Sequence, residues 1–280
     1  MTELSVREAT PASDPPRTVR TTRPARLGLP IIRGYYWLMI GLLYLPIAVL
    51  FVFSMNANTT LTFPLKGFTT DWYAKVFSTP ALLRAIGNSL IVAIISSVGA
   101  TVLGSMLAVV LSRFEFRGRG ILTGLAVLPL IVPYVVLAVA LLILFHAVGI
   151  QLSLVTIGVA HVIVALPYTT LIVLARLIGF DRQLEDAAMD LGATYPATIR
   201  LVILPIAAPA IVAAWLTAFT VSFDEFALAL FLAGRDPTFP VYLYGQLRFA
   251  QTLPVLIATA VLLMAVTIAL LVVADTVRRR

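Results

Sequence analysis

The segment DRQLEDAAMDLGATYPATIRLVILP, residues 181–205, separates two long apolar stretches and is itself patterned. Leu184, Ala187, Ala188 and Leu191 fall at i, i+3, i+4 and i+7, one face of a short helix. Asp181 is placed to cap that helix, Glu185 and Asp190 flank the apolar face, and Gly192 supplies a left-handed stop. Tyr195-Pro196 then starts a second short amphipathic element that ends at Leu204-Pro205, where the next apolar stretch begins. The pattern predicts an L-shaped helical knob between two membrane helices. Two Ala on its apolar face allow close backbone approach to another protein surface, as docking of a soluble motor onto a membrane subunit requires; a merely compact loop is the alternative.

Outward from the knob, the chain reads as membrane. Of its 280 residues 60% are hydrophobic and 12% charged, against about a quarter charged in an ordinary soluble domain. Apolar stretches at 35–53, 89–111, 121–145, 152–175, 206–230 and 255–274 are each long enough to cross a hydrocarbon core of roughly 30 Å at about 1.5 Å per residue. The expected fold class is all-α, a polytopic membrane protein with six transmembrane helices. Tyr35, Tyr36 and Trp37 open the first span as an aromatic anchor, and Pro129, Pro133 and Pro167 predict kinks in the third and fourth.

The same composition excludes several chemistries. With no Cys and only His146 and His161, disulfides, thiolate nucleophiles and metal centres are not expected, and both His read as interior residues. The net charge of +7 does not read as a nucleic-acid footprint, because the basic residues sit at the ends of apolar segments. Counting Lys and Arg over alternate loops places Arg7, Arg17, Arg20, Arg23, Arg26, Arg33, Arg113, Arg117, Arg119, Arg176, Arg182, Arg200, Arg278, Arg279 and Arg280 on one side. Lys66, Lys75, Arg84, Arg235 and Arg248 fall on the other, so both termini and the knob are expected in the cytoplasm. Residues 1–30 form the expected cytoplasmic tail, rich in Pro and polar residues through residue 26 and expected to be disordered, with no signal peptide; residues 31–280 form the membrane domain. Thr70, Asp71, Trp72 and Tyr73 in the outer loop predict a short helix on the outer interface, with an ordered connection as the alternative.

Only Asp224 and Glu225 among the charged residues lie inside the predicted spans. A carboxylate at membrane depth costs about 2.5 to 3.5 kcal/mol on insertion scales and is a functional-site candidate by default. One reading makes Asp224, Glu225 or both the attractor for a cationic solute; the other makes them a carboxylate pair bonded to backbone or to Arg235 or Arg248. Trp215 and Phe219, four residues apart, either pack or offer aromatic faces to a cation in the same pathway. An ion-coupled secondary carrier using Asp224 and Glu225, with His161, is the alternative function; it predicts repeated halves, which the sequence does not display.

The spacing Asp186-Ala187-Ala188, three residues, Gly192, then Leu204-Pro205 resembles the EAA loop of ABC importer permeases, the binding-protein-dependent type I family. From about Trp37 to Ala274 the chain is similar to permeases of the spermidine/putrescine type, through Gly67-Phe68, Trp72-Tyr73, Asn88-Ser89, Arg113-Phe114, Phe116-Arg117-Gly118 and Ser222-Phe223-Asp224-Glu225-Phe226. Asp186 stands where that family usually has Glu, and Val202 where Ile is common.

The resemblance implies that the helix carrying Glu185, Asp186, Ala187, Ala188, Asp190 and Gly192 couples to an ATPase. It further implies a second homologous permease, two ATP-binding-cassette subunits that hold the ATP and Mg, and a periplasmic or lipid-anchored substrate-binding protein. The chain would bind no cofactor and sit multi-pass in a bacterial inner membrane, moving a polyamine or related amine by alternating access. Independently of the resemblance, Lys66 and Lys75 are the only lysines and neither follows a Gly-rich loop, so the chain has no Walker A site and is not itself an ATPase.

Overall fold

The computed structural model describes residues 28–59 and 62–278. Twelve α-helices account for most of them, with no strand among the described residues beyond an isolated Asn56–Phe68 bridge. The expected tail lies outside the described residues up to position 27, and so do Arg279 and Arg280; positions 28–30 are already helical. Two compact units divide at Leu50 and Phe51. The first carries most of α1, Gly28–Ser54, whose Tyr35, Tyr36, Trp37 and Leu43 are exposed.

The second unit is organised on three long helices, α3 (Pro80–Arg113), α6 (Leu154–Ile178) and α9 (Leu204–Phe223), each packed against the other two. Small residues make that approach possible. Ala93, Ser97, Ala100, Gly104 and Ala108 line one buried face of α3, opposite Ala160 and Ala165 on α6 and Ala207, Ala214 and Ala218 on α9. In a hydrocarbon solvent helices gain little from burying apolar surface, so close backbone contact and interhelical hydrogen bonds hold them together. At Gly104 a Cβ would overlap the Thr169 hydroxyl and come within 2.9 Å of the Thr170 amide nitrogen. Thr169 Oγ1 meanwhile donates to the Ala100 carbonyl at 2.8 Å.

Among the described residues, five helices have the length and apolarity of a membrane span, or six if one broken pair is counted as a span. That pair corrects the third expected span. It is not a kinked helix but α4 (Arg119–Ile131) and α5 (Tyr134–Ala147), bent by 108°. Pro133 has no N–H to return to the Pro129 carbonyl, and it pushes Val132 into extended backbone with ψ 126°. Pro167, by contrast, is buried inside an unbroken α6.

Helix α9 differs from expectation at both ends. The knob's second element, α8 (Tyr195–Thr198), does not stop at Leu204-Pro205 but runs through a π-helical turn, Ile199–Ile203, into α9 as one Tyr195–Phe223 helix. Pro205 therefore lies inside that helix, directly after the π-helical turn, which locally replaces the regular hydrogen-bond ladder that a residue without an N–H cannot join. At the far end α9 stops at Phe223, so Asp224 and Glu225 stand at a helix break before α10 (Ala227–Leu232) instead of inside a span.

The short helix expected from Thr70 to Tyr73 is present as α2, Asp71–Phe77. Its Trp72 and Val76 are buried with Leu82, Phe239 and Ala258, the last two from α11 (Phe239–Gln246) and α12 (Leu253–Arg278), so it packs on the bundle as well as lying at its edge. Trp72 Nε1 donates to the Asn56 carbonyl at 2.8 Å.

Candidate functional site

Two regions carry the predicted residues, and α3 runs between them. At its C-terminal end lies the knob helix α7, Gln183–Asp190. Arg182, not Asp181, is its N-cap residue, while the Asp181 carboxylate accepts from the Gln183 N–H at 3.0 Å. Gly192 has φ of 91°, and the Ala193 N–H closes back on the Ala188 carbonyl at 3.0 Å, the left-handed stop the sequence predicts.

The faces of α7 are the reverse of the usual amphipathic arrangement. Leu184, Ala187, Met189 and Leu191 are exposed, Leu191 at 90%, and so are Asp186, Asp190 and Gly192, while Ala188 is half-buried. The buried residue is Glu185, whose carboxylate lies 2.5 Å from the Arg113 guanidinium with both side chains inside the protein. The apolar side of α7 is thus turned outward, beside an inward, paired carboxylate.

At the other end, the residues of the Ser222 to Phe226 motif separate into distinct environments. Ser222 Oγ lies 2.8 Å from Ser96 Oγ on α3 and 2.7 Å from His161 Nδ1 on α6. His161 Nε2 is 3.3 Å from Glu225, whose two carboxylate oxygens accept the Leu228 and Ala229 N–H groups at 2.9 and 3.0 Å. Glu225 thus covers the free N–H groups at the start of α10 and ties that helix to α6 in the interior. Of the partners expected for a structural carboxylate, backbone is present; His161 takes the place of Arg235 and Arg248.

Asp224 is exposed and lines a separate cleft of about 340 Å³ with Phe226, Phe239, Pro240, Leu243, Tyr244 and Leu247. The Phe226 and Tyr244 rings are 5.1 Å apart. Trp215 and Phe219 are half-buried on α9, 6.3 Å apart, and Phe219 stacks on Phe223 at 6.0 Å. Three aromatic rings at i, i+4 and i+8 therefore climb α9 toward Asp224. Trp215 Nε1 has no hydrogen-bond partner among the described residues, and Trp215 lines a hollow with Thr101, Val102 and Ile211. Sequence reasoning missed Tyr244 and Phe226 as cleft residues because neither has a charge or a period to mark it; Phe223 was legible as the continuation of the Trp215, Phe219 spacing.

An apolar helical bundle with a short exposed helix at one end and an acid-bearing aromatic cleft toward the other has the architecture of the membrane subunit of a solute transporter. The chain belongs to the family of binding-protein-dependent transport system inner membrane components, whose model matches residues 100–280. It is a multi-pass permease of an ABC importer, a class that works with an ATPase and a substrate-binding protein. It is 33% identical over 248 residues to the spermidine/putrescine transport system permease protein PotC of Haemophilus influenzae, covering 88% of this chain and 96% of the relative. It is 35% identical over 233 residues to the putrescine transport system permease protein PotI of Escherichia coli, covering 79% and 83%. Among solved structures, a chain of a bacterial ABC transporter that imports the acidic polysaccharide alginate superposes with a TM-score of 0.71 at 15% identity, over 96% of this chain and 99% of that one. The MetNI methionine ABC transporter in an inward-facing conformation gives 0.58 at 20% identity, over 70% and 93%.

Proposed function

We propose that this permease imports a polyamine or a related small amine across a bacterial inner membrane, with Asp224 as the carboxylate that the cation meets. The observation that carries the reading is the cleft itself: one exposed carboxylate beside Phe226, Phe239 and Tyr244, in a chain similar over most of its length to polyamine permeases. A flexible polycation needs an anionic point and aromatic or aliphatic walls, and this cleft offers both. Trp215, Phe219 and Phe223 continue the aromatic surface along α9, and Glu225 holds the cleft in shape from inside.

In the same reading the exposed face of α7, with Asp186, Ala187, Ala188, Asp190 and Gly192, docks in a cleft of the ATPase, while Glu185 orients it from the buried side. Two such ATPases holding ATP and Mg, a second homologous permease and a periplasmic or lipid-anchored binding protein complete the transporter; the binding protein selects the solute. Both termini and the knob face the cytoplasm, which the fifteen-to-five partition of Lys and Arg supports. The ion-coupled carrier needed Asp224, Glu225 and His161 to act as one relay. Glu225 and His161 do meet, but Asp224 lies in the separate cleft, and the chain's family is that of binding-protein-dependent importers.

The test is transport. The complex purified from native membranes and reconstituted in proteoliposomes is expected to contain a P-loop ATPase and to accumulate labelled spermidine or putrescine only with ATP and the cognate binding protein. Accumulation of an anionic or neutral solute in place of the amines overturns the substrate assignment. Reporter fusions give an independent check on orientation: those after Arg117 and Ala193 are expected to read cytoplasm and those after Lys75 and Arg235 the outside, and inversion at either pair contradicts the proposed topology.

A further inference from the structure

We infer that Arg113 and Glu185 are positioning residues that make α7 and the C-terminal ends of α3 and α6 one rigid body, so that movement of the docked ATPase reaches the solute cleft through α3. This rests on the proposed docking role of α7. The geometry is a reciprocal clamp. Arg113, the last residue of α3, reaches the Glu185 carboxylate at 2.5 Å and donates to the Leu177 carbonyl, near the end of α6, at 3.1 Å. Arg182, just before α7, donates back to the Ser112 carbonyl at the end of α3 at 2.5 Å. The last carbonyls of a helix lack intrahelical partners and carry its negative partial charge, so each guanidinium meets a group that favours it.

The ring of Phe180 lies 5.8 Å from the Arg113 guanidinium, and Tyr195 packs edge-on against Phe114 at 5.8 Å, so both segments flanking α7 close on the same end of α3. With the apolar side of α7 turned outward, this clamp is what holds the helix on the bundle. A short exposed helix held only by its loops would swivel under load; a buried pair with a guanidinium bonded on two sides admits one orientation.

Toward its N-terminal end, in its third turn, α3 is clamped as well. Asn88 Nδ2 donates to the Pro237 carbonyl at 3.0 Å, and Ser89 Oγ accepts from the Phe239 N–H at 2.8 Å; Phe239 is a wall of the Asp224 cleft. From residue 88 to residue 113 the helix rises about 37 Å. One unbroken helix therefore joins the α7 anchor to the cleft wall, with side-chain bonds at both points.

The test uses the assembled transporter and measures solute moved per ATP hydrolysed. Glu185→Gln keeps shape and removes the charge; Arg182→Met removes the return bond from an exposed position. Both complexes are expected to retain the ATPase and hydrolyse ATP while moving at least about fivefold less solute per ATP. Spin labels at Gln183→Cys and Arg117→Cys, placed in a chain with no native Cys, are expected to give one narrow distance in the parent and a broadened one in Glu185→Gln. If Glu185→Gln fails to assemble, Arg182→Met decides the matter. Parental solute per ATP in the assembled variants, or an unbroadened distance, overturns the inference. Leu191→Glu separates the two readings: if it leaves the ATPase bound, the docking face itself is wrong, whereas if it releases the ATPase while Glu185→Gln stays fully coupled, only the clamp is wrong.

Discussion

Asp224→Asn is expected to slow uptake of a cationic solute by about tenfold with protein level, assembly and ATPase association unchanged, a loss equivalent to about 1.4 kcal/mol of transition-state stabilisation. The substitution keeps shape and most hydrogen-bonding capacity and removes only the charge. A carboxylate at about 4 Å from an ammonium is worth roughly 4 kcal/mol at an effective dielectric of 20, and the exposure of Asp224 reduces this toward the aqueous limit of about 1 kcal/mol. Its neighbour should behave differently. Glu225→Ala removes the acceptor for two backbone N–H groups and leaves His161 facing an empty site, so it is expected to cost about 3 to 5 kcal/mol and to lower the amount of folded protein in the membrane. Quantitative blotting, co-purification and labelled uptake separate the two outcomes. Wild-type uptake by Asp224→Asn removes the cation role, and an assembled Glu225→Ala protein of parental thermal stability removes the structural one.

Gly192→Val is expected to release the ATPase from the knob, with the helices still inserted. At φ of 91° a β-branched residue is strained by about 1 to 2 kcal/mol, yet a Cβ at this position would meet nothing within 4 Å, so the effect acts through the backbone and not through a clash. Relaxing the strain unwinds the Ala193 to Ala188 closure and reorients Leu191, the most exposed apolar side chain of the knob. Gly192→Asn supplies the control, because Asn tolerates the left-handed region and should retain most ATPase binding. Equal retention by Val and Asn, read by co-purification of the ATPase, would show that the stop does not set the docking geometry.

Much of this protein follows from local sequence alone. Long uninterrupted runs of apolar residues can only be satisfied as helices in a bilayer, since every backbone polar group there needs a partner within its own segment. The Asp186-Ala187-Ala188 spacing with Gly192 marked the knob because the left-handed stop is a property of a single residue. The 108° break was only half legible: Pro129 and Pro133 signal a bend, but its size depends on what packs around the two halves. Tertiary structure alone decided the rest. Asp224 and Glu225 are adjacent and chemically alike, yet one lines a cleft and the other bonds to His161, far away in the chain, because α9 happens to end between Phe223 and Asp224. Glu185 looked like a docking residue until Arg113, at the end of another helix, drew it inward. Hydropathy and turn preference are sums over near neighbours and are written in order along the chain; the partner of a buried charge is whichever group the packing of helices brings within a few ångströms, and small residues such as Gly104 set that packing without any pattern that names the partner.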